Sequence, residues 1–138
     1  MKSIVIKPGK FARVEDLDLS YHSLRSLVGG YIEMTYPFPD EEIAVISNEE
    51  SKLLDLAPNR AIRRADGSLI DIYCGVMVVV ALAPEGEYRD LTEEEVSLIL
   101  RTWECPETKS DWGGAKPNTT IQIFASAEAV DLLGGAFA

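Results

Sequence analysis

Ser68-Leu69-Ile70-Asp71-Ile72-Tyr73-Cys74-Gly75-Val76-Met77-Val78-Val79-Val80-Ala81-Leu82-Ala83 is the most apolar stretch of the chain, and it stops at Pro84-Glu85. Its centre, Val76 to Val80, is rich in β-branched residues and does not alternate with polar ones. That pattern belongs to a strand covered on both faces, so the stretch is expected to form one strand at the centre of a sheet, with Gly75 marking a bulge. The run from Val76 to Ala83 is also far shorter than the roughly 18 apolar residues needed to cross a bilayer.

The segments on either side supply the rest of a sheet. Upstream, Tyr31 to Tyr36 alternates, with Ile32, Met34 and Tyr36 on one face and Tyr31, Glu33 and Thr35 on the other. Pro37 and Pro39 end it, and Ile43 to Ser47 follows as its hairpin partner. Ser3 to Lys7 reads as a strand stopped by Pro8-Gly9, and Phe11 to Leu17 as an acidic edge strand or loop returning beside it. Ser20 can cap a short helix carrying Tyr21, Leu24, Leu27 and Val28, which Gly29-Gly30 terminates. Between the hairpin and the central strand, Leu53, Leu54 and Leu56 are expected to lay their side chains on the core, before Asp66-Gly67 makes a tight turn.

Downstream, Thr92 and Glu95 form a capping box, and Leu91 with Val96 forms a hydrophobic staple. The helix they start presents Val96, Ile99, Leu100 and Trp103 on its apolar face, and Pro106 prevents its continuation. Residues 104–118 form a long polar segment rich in Gly, Pro, Lys and Asp. Thr119 to Ala125 reads as a final strand, and Ala127 to Leu133 as a short helix closed by Gly134-Gly135. The whole predicts a single α+β domain spanning residues 1–138. Its core is a mixed, mainly antiparallel sheet of about five strands with two or three short helices packed on it.

Composition narrows the functional classes. Thirteen basic and 23 acidic side chains leave a net charge of −10, a field that repels phosphate backbones and disfavours generic DNA or RNA binding. Such charge serves solubility, and its sharper reading is nucleic-acid mimicry by an inhibitor. Cys74 and Cys105 are expected to be free thiols in a reducing cytoplasm. His22 is the single histidine, which removes chemistry that needs paired imidazoles and most metal sites built on them. The glycine pairs at 29–30 and 113–114 lack the spacing of phosphate-binding loops.

Two features are left for chemistry. Asn59, Arg60, Arg63 and Arg64 make a basic island in an acidic chain, and guanidinium groups match phosphate or carboxylate geometry. The island either holds an anionic ligand or acidic partner, or pairs with the acids around it. Trp112, in its Gly-rich loop, is either an exposed stacking residue or the plug that orders the loop. Asp71 with Tyr73 or Cys74 is the enzymatic alternative, since a carboxylate in an apolar run needs a partner.

Four segments in order carry a resemblance. They are Leu24-Arg25-Ser26-Leu27-Val28-Gly29-Gly30-Tyr31-Ile32-Glu33, Ser47-Asn48-Glu49-Glu50-Ser51-Lys52-Leu53-Leu54, Ala57-Pro58-Asn59-Arg60-Ala61 and Asp71-Ile72-Tyr73-Cys74-Gly75. The set resembles the family of domain of unknown function 3846 over about residues 2–100, although Ser51 stands where glycine often follows the Asn-Glu-Glu turn. The resemblance implies an accessory protein of bacteriophages, prophages or plasmids and brings no catalytic residues. The expectation is a cytoplasmic, non-enzymatic protein without a cofactor, in which Asn59, Arg60, Arg63, Arg64 and Trp112 engage a host protein or a small anionic, nucleotide-like ligand, with counter-defence as one role. A homodimer is expected on general grounds. The alternatives are a small hydrolase or transferase using Asp71 with Tyr73 or Cys74, and a structural module that assembles through its sheet edge.

Overall fold

A computed structural model describes residues 1–117. In chain order the elements are β1 (Lys2–Ile6), β2 (Arg13–Asp16), α1 (Tyr21–Val28), β3 (Ile32–Thr35), β4 (Ile43–Asn48), β5 (Pro58–Arg63), β6 (Leu69–Cys74), β7 (Met77–Leu82), β8 (Tyr88–Arg89) and α2 (Glu93–Trp103). Strands β2-β1-β7-β4-β3 lie side by side in one sheet, which the short β8 joins along β7. Strands β5 and β6 form a separate two-stranded ribbon, and every pairing in both sheets is antiparallel. The domain is therefore α+β with an antiparallel sheet.

The sheet is covered on both faces, which is why β7 does not alternate. Val78 and Val80 face one way, and with Ala44 and Ile46 of β4 they pack against Leu24 and Val28 of α1. Met77, Val79 and Ala81 face the other way with Ile4, Ile6, Ile43 and Val45. There they meet Ile62 and Tyr73 of the ribbon and Ile99 and Trp103 of α2. Burying each such aliphatic side chain contributes about 1.5–3 kcal/mol, and β7 presents them on both faces.

The apolar stretch that sets the sheet's centre is two strands and not one. Gly75 separates β6 from β7 with φ +78, a left-handed conformation that sends the chain out of the ribbon and into the main sheet. Its N–H donates to Ala57 O at 2.8 Å, and a Cβ at this position would lie 2.8 Å from Leu56 Cδ1. Apolarity could not reveal this, because β6 is buried in the ribbon much as β7 is in the sheet. The leucine expectation also changes: Leu53 and Leu54 are 79% and 55% exposed, and of the three only Leu56 turns inward, toward Gly75. Strand β5 is an addition that the sequence reading lacked.

The helix and hairpin expectations fit closely. Ser20 caps α1 by accepting from the Ser23 amide, and Gly29 ends it at φ +79. Thr92 and Glu95 exchange both bonds of the capping box, and Arg89 adds a two-pronged grip on the Glu95 carboxylate at 2.8 and 2.9 Å. The predicted strand and helix at 119–133 lie outside the described residues. Among the described residues, no helix is long and apolar enough to cross a membrane.

Candidate functional site

The basic island lies on β5, and two irregularities in that strand decide where its side chains go. The register with β6 shifts between Pro58 and Arg60 and again between Ile62 and Arg63. A bulge places two neighbours on the same side, which simple alternation forbids. Asn59 and Arg60 are accordingly both 0% exposed, whereas Arg63 and Arg64 are both on the surface.

The buried pair forms a polar joint. Asn59 Nδ2 donates to Ile6 O at 2.9 Å and to Gly75 O at 2.8 Å, tying β1 to the turn between β6 and β7. Its Oδ1 accepts from Arg60 Nη1 at 2.9 Å. Arg60 Nε donates to Trp103 O at 2.9 Å, and Nη2 reaches Lys10 O at 2.6 Å and Glu104 O at 3.5 Å. Trp103 and Glu104 close α2, so the guanidinium caps the negative end of that helix and satisfies carbonyls that the helix itself leaves open. Burial pulls the Arg60 pKa below its ordinary value, opposed by Glu107 and Cys105.

The outer pair opens onto a cavity. Arg63 and Arg64 line a space of about 230 Å³ together with Pro37, Phe38, Ile62, Leu98, Thr102, Trp103 and Glu107. Its aromatic wall is ordered by edge-on contacts: the Trp103 ring centroid is 5.3 Å from Phe38 and 5.9 Å from Tyr73. The Trp103 indole N–H donates to Ala61 O at 3.0 Å, fixing α2 against β5. Arg63 donates to Gly67 O and Asp111 O, and Arg64 to Ser68 Oγ and Leu69 O. Neither guanidinium lies within ion-pair distance of a carboxylate among the described residues.

Glu107, the carboxylate in the wall, is engaged elsewhere. Its Oε1 accepts from the Ala61 amide and from the Trp112 indole N–H, both at 2.8 Å. Trp112 is 7% exposed and packs with Ala61 and Ile72, so its place is that of a plug holding the 104–117 segment against the ribbon. The structure thus joins Arg63 and Arg64 in one wall, sets Asn59 and Arg60 behind it, and puts Trp112 on the far side of Glu107. Phe38, Trp103 and Glu107 belong to the cavity without having been singled out from sequence. The signals available for them were the Pro37-Phe38-Pro39 corner and the aromatic ending of α2.

Three other hollows carry charge. One of about 500 Å³ shares Arg63, Thr102 and Glu107 and adds Arg101, Glu104 and Asp111, so three acids face two arginines there. One of about 540 Å³ on the β1-β2 hairpin is lined by Lys7, Lys10, Phe11, Arg13 and Glu15, where Phe11 is the single aromatic side chain. The third lies beside Lys52, Cys74, Lys109 and Lys116, at the end of the described residues.

Asp71, Tyr73 and Cys74 each have a separate engagement. Asp71 pairs with Lys52, and the Tyr73 hydroxyl is 2.6 Å from Thr35 Oγ1 inside the core. Burial pushes the Tyr73 pKa up, and it pushes the Cys74 thiol to about 11. Alternation along β6 sends Tyr73 toward Trp103, whereas Cys74 lines the hollow on the Trp112 side. Among the described residues no group of three or more His, Cys, Asp or Glu side chains is placed to hold a metal ion.

No curated protein and no solved structure matches the chain. The sequence model of one family, described as a domain of unknown function (DUF3846), matches residues 1–104 of the 138, and the chain belongs to that family.

Proposed function

We propose that this chain is a non-enzymatic binding protein, an accessory of a phage or other mobile element, that sequesters a small anionic ligand carrying one aromatic ring. One observation carries the reading. In a chain of net charge −10, two arginines at the mouth of an apolar, aromatic-walled cavity form no ion pair within 4 Å among the described residues, the Asp66 carboxylate feeling Arg64 only at longer range. Guanidinium groups that no close ion pair engages favour an anion from outside, and their planar forks suit phosphate or carboxylate.

Volume narrows the class. Sites that enclose a whole drug-sized ligand run to roughly 300–1,000 Å³, and this cavity holds about 230 Å³. It suits a single ring with its charge at the arginine rim, as in a nucleoside monophosphate or a cyclic mononucleotide, better than a dinucleotide. The family's setting in mobile elements, which the sequence resemblance implies, suits removal of a host signal of this kind. The hydrolase reading draws no support from the geometry, since Asp71, Tyr73 and Cys74 face separate partners.

Isothermal titration of the full chain with nucleoside monophosphates, cyclic mononucleotides, cyclic dinucleotides and inorganic phosphate tests the proposal. Saturable binding of a single-ring anion is expected. It should weaken about tenfold or more in Arg63→Ala/Arg64→Ala, since hydrogen bonds to charged groups contribute about 1.5–3 kcal/mol each. The reading fails if none of these anions binds, or if the only binder is a host protein captured equally by the wild type and the double variant.

A further inference from the structure

The main sheet has two edges, and they are finished differently. At β2 all four residues are exposed, and Arg13, Glu15 and Asp16 carry charge. Just before the strand, the outward amide of Ala12 is taken by Glu104 O at 2.9 Å, so the end of α2 blocks one end of this edge. Charges and a covering element are the means by which sheets guard an edge against pairing with other chains.

At β3 the guards are thinner: Glu33 is its one charge, and no hydrogen bond ties a covering element to it among the described residues. The Glu49 amide donates to Tyr31 O, which sets the alternation of the β3-β4 ladder. Tyr31, Glu33 and Thr35 turn their main-chain groups toward β4, so Ile32, Met34 and, continuing the alternation, Tyr36 turn theirs away. Among the described residues no hydrogen bond reaches those outward groups. The same three side chains form the half-buried apolar face beside α1, and Glu33 is the single charge in the strand. Next to the edge, Tyr21 and Tyr31 are 56% and 54% exposed and flank Arg25, whose guanidinium carbon lies 5.9 and 4.3 Å from their ring centroids. Tyrosine and arginine are the residue types that concentrate binding energy at protein interfaces.

We propose that β3 pairs antiparallel with β3 of a second copy, on a two-fold axis at Met34. The occupant follows from the strand's own complementarity. Antiparallel bonding must match outward residues with outward residues, so an axis can fall at one of them or midway between two. An axis at Glu33 would oppose two like charges, which destabilises a cross-strand pair. One at Thr35 would bring only Met34 and Tyr36 into register. With the axis at Met34, Ile32 opposes Tyr36 of the second copy, Glu33 opposes its Thr35, and all three outward residues bond. The apolar faces beside the two α1 helices then become continuous across the axis. This dimer is independent of the ligand reading, because the arginine cavity lies on other elements.

Cysteine bridging reads the register directly. In a hydrogen-bonded antiparallel pair the Cα atoms are about 5.5 Å apart, within the span of a disulfide. The background is full-length Cys105→Ser, since Cys105 is exposed and Cys74 is buried. Under mild oxidation Met34→Cys should convert to a covalent dimer. Ile32→Cys should not, its counterpart being roughly 14 Å away along the strand. The parent protein should sediment as a dimer that dissociates on dilution. A monomer at every concentration overturns the proposal. So does a dimer that Met34→Cys fails to bridge, or bridging that is equally efficient at position 32.

Discussion

Asn59-Arg60 and Arg63-Arg64 lie within one six-residue strand and its next residue, and on paper they make one basic patch. Folded, the first pair is inside the protein and the second is outside. Asn59 and Arg60 spend their hydrogen-bonding capacity on six oxygens: five main-chain carbonyls from β1, the hairpin loop, the end of α2 and the Gly75 turn, and the Asn59 side-chain oxygen that Arg60 itself engages. Arg63 and Arg64 touch loop carbonyls at the surface and keep their faces toward a cavity. The same residue type therefore does opposite work a few positions apart. Bulges in the strand, and not composition, divide structural arginine from arginine available to a ligand.

The largest expected effect lies in the inner pair. Arg60→Met removes the donors to Trp103 O, Lys10 O and Glu104 O while keeping most of the side-chain volume. It leaves buried carbonyls unsatisfied and the end of α2 uncapped. The expected loss is about 3–5 kcal/mol in urea unfolding, from two or three buried acceptors left unsatisfied at about 1–3 kcal/mol each. That is a large share of the roughly 5–15 kcal/mol that holds a domain together. If Arg60→Met cost no more than a surface substitution, the division between the two pairs would collapse.

How much of this was legible beforehand depended on whether the signal was local. Ser20, Gly29, Thr92 and Glu95 announce helix ends because caps act within a few residues, and all of them sit where the sequence placed them. The alternation of Ile32, Met34 and Tyr36 likewise fixed the face of β3 that meets α1. Gly75 misled because a glycine between two apolar runs can mark a bulge or a passage between sheets. The choice rests on Ala57 and Leu56, some twenty residues upstream in the chain. Strand β5 was hidden because two of its four buried members are Asn59 and Arg60, which satisfy themselves through β1, the Gly75 turn and the end of α2 rather than by being apolar, leaving only Ala61 and Ile62 as an apolar signal. The cavity was hidden for the same reason: Phe38, Trp103 and Arg63 meet only once the ribbon packs against the sheet.

A smaller effect is expected at Asn59. Asn59→Ala strands Ile6 O and Gly75 O and strips Arg60 of its side-chain acceptor, so a loss of about 1–3 kcal/mol should appear as a lower urea midpoint with an unchanged slope. Its effect should not add to that of Arg60→Met, because the two side chains bond to each other and share one joint. A double-mutant cycle measures this coupling, and simple additivity would mean that they act as separate contacts.

The smallest stability effect belongs to the outer pair, and there the comparison is sharpest. Arg63→Ala and Arg64→Ala remove solvent-facing bonds to loop carbonyls, so each should stay within about 0.5 kcal/mol of the parent in unfolding. Arg63 carries the larger share, because its bond to Asp111 O helps hold the loop that Trp112 plugs. Side chains that matter little to the fold, lie open at an aromatic cavity and form no close ion pair among the described residues are available to something that arrives from outside. A stability loss at Arg63 or Arg64 comparable to that at Arg60 would make these arginines part of the scaffold, and the cavity would lose its claim to a ligand.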